Sequence, residues 1–581
     1  MQRERERQRA DTSSLRHRPE FLLFVLLAAA CVSLAQTQAV PPADQPGTIR
    51  GTVVNSVTGA PISRALVFTP GNHIAMLTDG EGHFEFALPK APNENLSSPN
   101  GGQRYIFGPT VLMARKPGFL DNPNGQPPIE ANPGAEIVLF LLPEALIKGR
   151  ILSSETDPAA GIEVQLFSRQ VQDGMPKWMP AGSARTNSNG EFRFAELQPG
   201  TYKVMTNELR DNDPAITGPG GQQYGFPPVY YPGISDYSAA GTIQLAAGQT
   251  VQADIPIAHQ PYFNVEIPVA NPDPNTNLNV IVSVQGHGGS GYGLGYSAEK
   301  QRIEGLLPNG KYLVEATTAQ NSASGQVNLS VSGAPAQGPS LSLVPNSSIP
   351  VHVTEEFTAT DWKAEGMWND GRRSFLMPKL RLDLNVRAEA ADDFAPQTGG
   401  NLRPPIGPND DSMILENLAP GRYWLRADAA RGYVASATMG GLDLLREPFT
   451  VAPGSTTPIE IKLRDDNAEI AGTVAGLTAT PPTTATSAHF GRWLQSAYVY
   501  CVPFPDSPGR FMLLSADSDG KFDYQMVTPG TYRVLAFANQ QPNLPYRDPE
   551  AMRVYESKGQ VVHLAAGQKA SVQLQLISTI E

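Results

Sequence analysis

Asn187–Val204 reads NSNGEFRFAELQPGTYKV, and this stretch decides the fold expected for the rest of the chain. Its first residues are typical of a tight turn, because an Asn side chain can bond the backbone just ahead of it and Gly190 tolerates a positive φ. Phe192 and Phe194 then alternate with charged residues, which predicts a strand with one buried face. The stretch therefore predicts a turn, a half-buried strand, a second turn and a second strand.

The second turn of this stretch contains Pro199 and Gly200. They suit the two central positions of a type II turn, where Pro pre-sets φ and Gly accepts a positive φ. Tyr202 follows at the position of the tyrosine corner of immunoglobulin-like sandwiches, in which a buried Tyr ties its hydroxyl to nearby backbone. We therefore expect the Tyr202 hydroxyl to bond the backbone of the preceding turn.

The same Pro-Gly-x-Tyr phrase returns along the chain. Variants occupy 306–312, 418–423 and 527–532, and the turn glycines at 200, 310, 421 and 530 are 110, 111 and 109 residues apart. This spacing matches one sandwich domain of about 100 residues per repeat. Self-similarity at a fixed period indicates a repeat architecture. The predicted fold class is all-β, a tandem array of about five antiparallel β-sandwich units after a signal peptide.

Turn and strand phrases also predict where the units begin and end. The third and fourth units diverge most, and the sequence leaves open whether they keep the common fold. The expected boundaries are a signal peptide at 1–35, a disordered leader at 36–46, and sandwiches at 47–144, 145–258, 259–346, 347–465 and 466–581.

The N-terminal region has the layout of a secretory signal. Residues 21–35 form an apolar run after an Arg-rich start, which is short for a membrane helix. We expect cleavage after Ala35 or Ala39, which leaves no helical membrane span in the mature chain. Lipoprotein processing at Cys31 is the alternative. Either route predicts a secreted, periplasmic or cell-envelope protein.

Charge and cysteine content exclude several classes of function. The formal net charge is −12, which argues against nucleic acid or an anionic membrane surface as partner. Only two cysteines are present, Cys31 and Cys501, so the processed chain has no internal disulfide. The 54 Gly and 53 Pro residues favour many turns and short strands over long helices.

Three recurring motifs resemble those of carboxypeptidase regulatory-like domains. They are the Gly-x-Val opening strand, the Thr-Asp-x-x-Gly-x-Phe turn at 78–84 with variants at 186–192 and 516–522, and the Leu-x-Pro-Gly-x-Tyr corner. The resemblance implies transthyretin- or immunoglobulin-like sandwiches, similar to the carbohydrate-binding-like and collagen-adhesin B-type folds. It covers most of the mature chain and implies a scaffold rather than an activity. Such domains occur in exported bacterial proteins, which implies an envelope setting.

One aromatic stretch of the second unit is the candidate ligand surface. Aromatic faces stack on the apolar faces of sugars, and loops rich in Pro and Gly can present them. The alternative, which the pattern favours, is that these rings cover an open sheet edge. A second, fainter candidate groups Trp362 and Trp368 with Arg372 and Arg373, where core packing is the default. The candidate ligand-binding residues are Tyr224, Phe226, Tyr230, Tyr231 and Tyr237.

Two patterns imitate metal sites, and the sequence disfavours both. His352, Glu355 and His489 imitate the zinc ligands of metallocarboxypeptidases, but sandwich strands fill the interval in which that family needs an α/β core. Asp517 and Asp519 imitate a calcium loop, yet they align with the Asn-rich turn of the second unit. We therefore expect no catalytic residue, no metal and no cofactor.

Covalent cross-linking is a further idea that the resemblance to collagen-adhesin modules raises. Those modules can join a first-strand Lys to a last-strand Asn. Lys148 is a candidate donor, but the closing strands at 253–257 and 572–576 contain no Asn. The sequence therefore disfavours an isopeptide bond.

The function predicted from the sequence is that of a rod-like string of sandwiches without catalysis. It would be an exported binding or scaffold protein of the bacterial envelope, with carbohydrate as the ligand class that the fold resemblance implies. The first alternative is a structural or assembly partner of another envelope protein, such as a transporter or secreted enzyme. A metallocarboxypeptidase-type hydrolase is the second. The expected partner is a polysaccharide or an envelope protein.

Overall fold

The computed structural model describes most of the chain after Gly47, and strands account for 61% of that part. The expected signal peptide, Cys31, the leader, Trp362, Arg372, Arg373 and His489 lie outside the described residues. The described residues are 48–69, 75–87, 110–121, 129–131, 136–153, 159–211, 221–270, 277–284, 291–358, 366–369, 371, 374–391, 399–477, 497–517, 519–538, 540–541 and 543–577.

Strands β1 to β27 belong to the first three units. The first unit contains β1 (Thr48–Asn55), β2 (Leu66–Phe68), β3 (Ala75–Leu77), β4 (His83–Ala87), β5 (Thr110–Arg115), β6 (Phe119–Leu120), β7 (Ile129–Ala131) and β8 (Glu136–Pro143). The second contains β9 (Ala145–Ser153), β10 (Glu163–Gln172), β11 (Met175–Arg185), β12 (Glu191–Leu197), β13 (Gly200–Thr206), β14 (Leu209–Arg210), β15 (Gln223–Phe226), β16 (Ile243–Leu245), β17 (Thr250–Gln252) and β18 (Ile255–Ile257). The third contains β19 (Gln260–Ala270), β20 (Leu278–Val284), β21 (Leu294–Ser297), β22 (Arg302–Pro308), β23 (Gly310–Thr318), β24 (Ala323–Val331), β25 (Ala336–Gln337), β26 (Leu341–Ser342) and β27 (Val344–Pro345).

Strands β28 to β45 and two short helices complete the fold. The fourth unit contains β28 (Ser347–Glu356), β29 (Met367–Asn369), β30 (Ser374–Leu376), helix α1 (Lys379–Asp383), β31 (Leu384–Ala390), β32 (Gly399–Leu402), β33 (Met413–Leu418), β34 (Gly421–Ala429), β35 (Tyr433–Met439), β36 (Leu442–Asp443), β37 (Phe449–Val451) and β38 (Ile459–Arg464). The fifth contains β39 (Ala468–Ala475), β40 (Ala497–Pro503), β41 (Met512–Ala516), β42 (Lys521–Val527), β43 (Gly530–Phe537), helix α2 (Pro549–Met552), β44 (Gln560–Leu564) and β45 (Lys569–Ile577). No helix among the described residues is both long enough and apolar enough to cross a membrane.

One strand arrangement recurs in all five units. The first strand of each unit lies between an antiparallel middle strand and a parallel closing strand. These sets are β4-β1-β8, β12-β9-β17/β18, β22-β19-β25/β26, β33-β28-β38 and β42-β39-β45. The all-β tandem prediction is therefore confirmed, and the divergent third and fourth units keep the same arrangement.

A second sheet packs on the first and encloses a separate core in most units. In the second unit β11-β10-β13-β16 supplies Val164, Leu166 and Val204, which pack with Ile147 and Phe192 of the first sheet. The fourth and fifth units differ, because their two layers are joined into one sheet. In the fourth unit β32 makes the connection within a nine-stranded sheet, and in the fifth unit the β43–β45 pair makes it within a seven-stranded sheet. The five main clusters of buried residues fall at 49–141, 145–257, 263–341, 349–463 and 468–574.

Each predicted tyrosine corner makes its expected hydrogen bond. The hydroxyl donates to the carbonyl four residues earlier in every case. The pairs are Tyr202 to Gln198 (2.7 Å), Tyr312 to Pro308 (2.9 Å), Tyr423 to Ala419 (2.8 Å) and Tyr532 to Thr528 (2.5 Å). The sequence thus predicted both the position and the bond of the corner.

The glycine of the corner serves a different purpose from the one predicted. Gly200 has no positive φ, so the type II turn prediction is wrong. A Cβ at Gly310 would lie 2.7 Å from the Tyr312 hydroxyl, and one at Gly200 would lie 3.6 Å from the Tyr202 ring. The tyrosine therefore accounts for glycine at 310, where a Cβ would clash with it, whereas at Gly200 the added Cβ would make only an ordinary contact.

The turn before the middle strand of the first, second and fifth units is an Asx turn, as predicted. The Asn187 Oδ1 accepts hydrogen bonds from the backbone N–H groups of Asn189 and Glu191, both at 2.9 Å. Asp517 holds the corresponding turn of the fifth unit in the same way, through the N–H groups of Asp519 and Lys521. Backbone hydrogen bonds therefore explain why this turn contains acidic residues. This is the interpretation that the sequence favoured over a calcium loop.

The rod-like arrangement expected from the sequence is wrong, because units that are not neighbours in sequence also contact each other. Strands β14 and β15, which precede the closing strands of the second unit, extend the third unit's sheet through β19. The long β10–β11 hairpin also reaches the fourth and fifth units. Its 10- and 11-residue strands carry the tip beyond the sandwich to which the hairpin belongs.

Candidate functional site

Two of the candidate rings lie on strand β15, where the second and third units meet. Tyr224 is 36% exposed and stacks on His259, with ring centroids 5.2 Å apart. Phe226 is buried in the core of the second unit and also contacts His259 at 5.0 Å. His259 is held in turn by Asp211, with 2.8 Å between Nε2 and Oδ2. Tyr224 is therefore an accessible ring on a braced surface.

Tyr230 and Tyr237 cover the outer face of the β10–β13 sheet. Tyr230 is 4% exposed and packs with Phe167, Trp178 and Met205 in a small second core. Tyr237 meets the Tyr230 ring edge to face, with centroids 5.6 Å apart. These rings stabilise the unit by burying the second face of its sheet.

Lys203 is the buried cation beneath this aromatic cover. Its Nζ lies 3.9 Å from the centre of the Tyr237 ring and 5.2 Å from that of Trp178. It also donates to the Tyr237 carbonyl at 3.2 Å. Burial lowers the pKa of Lys203, and the charge of Arg169 lowers it further. The cation–π contacts therefore fasten the aromatic cover to β13.

Tyr231 completes the candidate set and is half-buried against the main core of the second unit. Its N–H donates to the Val204 carbonyl at 2.9 Å, which ties the segment to β13. The five candidate rings thus divide between the β15 surface and the cover of β13. Tyr224 is the ring among them with a substantially exposed surface.

The second candidate, around Trp368, lies on the β29–β30 hairpin of the fourth unit. Trp368 is opposite Phe375, while Met367 and Leu376 form the adjacent cross-strand pair. Met367 is 62% and Leu376 57% exposed. Because Trp362, Arg372 and Arg373 lie outside the described residues, this candidate remains a prediction.

The zinc pattern does not form a ligand cluster in the described part of the chain. His352 Nδ1 lies 2.9 Å from Glu460 Oε1, whereas Glu355 pairs with Lys379 at 3.1 Å. Residues three apart on a strand point to opposite faces. Lys148, the candidate isopeptide donor, is exposed on β9. Within the described residues, no group of three or more His, Cys, Asp or Glu could hold a metal ion.

Sequence reasoning missed the tip of the β10–β11 hairpin, which is Asp173-Gly174. Both residues have a positive φ, 49° and 76°. Asp-Gly between two strands is the signature of a type I′ hairpin turn. The hairpin was therefore predictable from residues 171–175, but the docking of its tip on distant units was not.

An ion-pair network joins the hairpin tip to the fourth unit. Asp173 lies 3.0 Å from Arg426, whose side chain is 10% exposed, and Arg426 also binds Glu389 at 2.9 Å. Burial acts to raise the pKa of Glu389, but hydrogen bonds from Arg387 and Arg426 outweigh it and hold that pKa below its usual range. Lys177 adds a hydrogen bond to the Ala390 carbonyl at 3.3 Å.

An aromatic contact joins the same tip to the fifth unit. A Cβ on Gly174 would lie 2.6 Å from the Tyr546 ring, so only glycine lets the backbone approach this closely. The opposite face of Tyr546 stacks on Phe511 at 4.0 Å. The Arg547 N–H donates to the Gly174 carbonyl at 3.1 Å, and its guanidinium lies over Trp424 of the fourth unit. The hairpin tip therefore contacts two other units at once.

Comparisons with known proteins do not assign the chain to a family. No family model matches it, and no curated protein sequence matches it. Among solved structures, it is similar to GBS52, the minor pilin of Streptococcus agalactiae, at 13% identity over 36% of this chain and 95% of that chain, with a TM-score of 0.18. The Bacillus anthracis TIE protein matches at 9% identity over 74% and 72%, TM-score 0.14, and BcpA, the major pilin subunit of Bacillus cereus, at 10% over 55% and 99%, TM-score 0.13. At TM-scores this low none of these likenesses bears on function, and the fold assignment rests on the strand pairings above.

Proposed function

We propose that this protein is an exported, non-catalytic scaffold of the bacterial cell envelope that binds polysaccharide. The observation that supports a scaffold is the junction at the β10–β11 tip. Asp173 and Gly174 of the second unit contact the fourth and fifth units, which are far from it in sequence. Such contacts hold the units in fixed relative positions, which is the property that a scaffold requires.

The use of its polar and aromatic residues also supports a structural role. The four corner tyrosines bond local backbone, and Asn187 and Asp517 hold turns. His352 and Glu355, the described members of the zinc pattern, have separate ion-pair partners. The residues first considered for chemistry thus serve the fold.

Carbohydrate is the proposed ligand class because the repeated motifs resemble those of carboxypeptidase regulatory-like domains, whose sandwiches are similar to the carbohydrate-binding-like fold. Of the candidate rings, Tyr224 offers the most accessible surface, braced from below by His259. Aromatic faces of this kind stack on sugar rings. Tyr230 and Phe226 would act only by supporting the surface, because both are buried.

The alternative is assembly with another envelope protein, such as a transporter or a secreted enzyme. The exposed Met367–Leu376 pair on the β29–β30 hairpin favours this alternative, because exposed apolar pairs are common at protein interfaces. A protein partner would be retained by this hairpin rather than by Tyr224.

Binding of the mature chain to glycan arrays and to solubilised envelope fractions tests the proposal. Retention of polysaccharide, lost in Tyr224→Ala with the fold intact, is the expected result. Capture of a protein and of no glycan would replace the carbohydrate proposal with the assembly alternative. Hydrolysis of a peptide or glycan by the purified chain would contradict the non-catalytic proposal.

A further inference from the structure

We infer that a cleft between the β10–β11 tip and the fifth unit binds one ring of a neutral sugar chain. This inference rests on the proposed ligand class and gives it a site other than Tyr224. The cleft has a volume of about 240 Å³. Its walls include Asp173 from the second unit and Tyr500, Phe511, Leu513 and Gln540 from the fifth.

The apolar wall of the cleft is supplied by the fifth unit. Leu513 on β41 is 40% exposed, although its neighbours in sequence are more buried. Phe511 is half-buried and is fixed by stacking on Tyr546. Tyr546 itself is covered on both faces, by Phe511 and by Gly174, so it serves as a support. Leu513 and Phe511 therefore give a fixed apolar surface for the C–H face of a sugar ring.

The polar groups of the cleft suit hydroxyl groups. Gln540 is exposed and carries an amide that both donates and accepts hydrogen bonds. The Asp173 carboxylate is held in place by Arg426 at 3.0 Å and retains acceptor capacity. Sugar hydroxyls are both donors and acceptors, so they can bond a carboxylate and an amide together.

The volume of the cleft and the charge of its walls restrict the proposed ligand to a single uncharged sugar ring. Pockets for drug-sized ligands are about 300–1,000 Å³, so this cleft is small for a peptide segment or a large cofactor. Among its lining residues Asp173 is the charged one, and it is already paired with Arg426. A charged ligand would therefore find no unpaired charge of opposite sign on these walls.

Because the two walls come from different units, binding and docking of the hairpin are coupled. A ligand that contacts both walls binds only when the tip is docked, so it must stabilise the docked arrangement. A bound sugar should therefore slow hydrogen exchange in the hairpin tip and in 543–547. No such protection is expected of a ligand that binds at Tyr224.

The test uses the mature chain and short neutral oligosaccharides of glucose, galactose, mannose and N-acetylglucosamine, with binding measured by saturation-transfer NMR and calorimetry. Leu513→Arg should fill the cleft and weaken binding by roughly tenfold or more, which is about 1.4 kcal/mol per tenfold. Gln540→Ala, a milder change on an exposed residue, should weaken binding in the same direction. The matched control is Val561→Arg, because Val561 is 54% exposed on the same unit and does not line the cleft.

The outcomes separate this inference from the proposed function. Weakened binding in both cleft variants, with Val561→Arg and Tyr224→Ala unchanged, supports the cleft. Loss in Tyr224→Ala with wild-type binding in both cleft variants overturns the cleft and leaves the carbohydrate proposal standing. If the wild-type chain binds no oligosaccharide of the panel, the cleft inference and the carbohydrate ligand class both fail. Equal loss in Leu513→Arg and Val561→Arg also contradicts the cleft.

Discussion

At the scale of single residues, glycines set how closely backbone and rings approach one another. Gly51, Gly149 and Gly472 occupy the middle of the first strand in three units. An added Cβ would lie too close to a carbonyl oxygen of the neighbouring chain segment at each position. The distances are 2.2 Å from Gly51 to Ile137, 2.1 Å from Gly149 to Ala253 and 2.5 Å from Gly472 to Val572. The repeated Gly-x-Val phrase is therefore explained by the close approach of these neighbours.

Gly149→Ala should destabilise the second unit by about 1–3 kcal/mol, because the new methyl group overlaps the Ala253 carbonyl and the Phe192 ring. Hydrogen exchange of peptides within 145–206 measures this change. Gly295→Ala is the matched control, since nothing lies within 4 Å of its added Cβ. Equal stability of the Gly149 variant and the wild type would contradict the packing described here.

The aromatic residues of the second unit make a second prediction at this scale. Tyr230→Ala should cost about 3–5 kcal/mol, as for other large buried rings, because Tyr230 is 4% exposed. Tyr224→Ala should cost clearly less than Tyr230→Ala, because Tyr224 is 36% exposed. Urea denaturation followed by circular dichroism compares the two variants. A stable Tyr230→Ala chain would show that this ring does not belong to a core.

At the scale of elements, local patterns predicted well and long-range contacts did not. Phe192 and Phe194 are buried as their alternation predicts, and Tyr202 makes its corner bond. Those outcomes depend on residues a few positions apart. The type II turn prediction at Gly200 was wrong because this glycine does not adopt a positive φ, and a Pro-Gly pair in sequence does not fix that angle.

The candidate site was harder to predict than the fold. The sequence of an aromatic stretch does not show whether its rings face solvent or pack on the outer face of a sheet. Tyr230 packs on the outer face of the β10–β13 sheet. Asp173 and Arg426 are 253 positions apart, so their pairing depends on how whole units are arranged. No local pattern contains that information, although Asp-Gly did mark the hairpin turn.

The hairpin tip also has a predicted pH dependence. The pKa of Glu389 is lowered in the folded chain from 4.5, so its stabilising contribution is present above about pH 4.5 and is lost as the pH falls through the lower folded value. Glu389 positions Arg426, which binds Asp173, so acid should loosen the tip. Hydrogen exchange of the tip, measured at several pH values, should accelerate with acid in the wild type.

Glu389→Gln is the informative variant for this pH dependence. Its tip should exchange faster at neutral pH and respond less to acid, because the titrating carboxylate is gone. Glu447→Gln serves as a control, since Glu447 lies in the same unit and pairs with none of the junction residues described above. Identical pH profiles for the wild type and Glu389→Gln would show that Glu389 does not contribute to the junction.

At the scale of the whole molecule, the same sandwich arrangement is used five times and then interlocked. Sheet continuity through β15 and β19 joins the second and third units. The hairpin tip joins the second unit to the fourth and fifth. Repeat proteins usually contact only sequence neighbours. The contacts of Asp173 and Gly174 with two distant units distinguish this chain from such an array and favour a fixed scaffold.

The amide of Arg547 gives the most direct test of this interlocking, because it donates to Gly174 across the junction. Hydrogen exchange of a peptide covering 543–549 should show protection in the wild type. Protection should fall in Asp173→Arg, which places a like charge against Arg426, and should stay at the wild-type level in the control Glu447→Gln. Exchange in the wild type as fast as in an unstructured peptide would contradict the docked hairpin and, with it, the proposed scaffold.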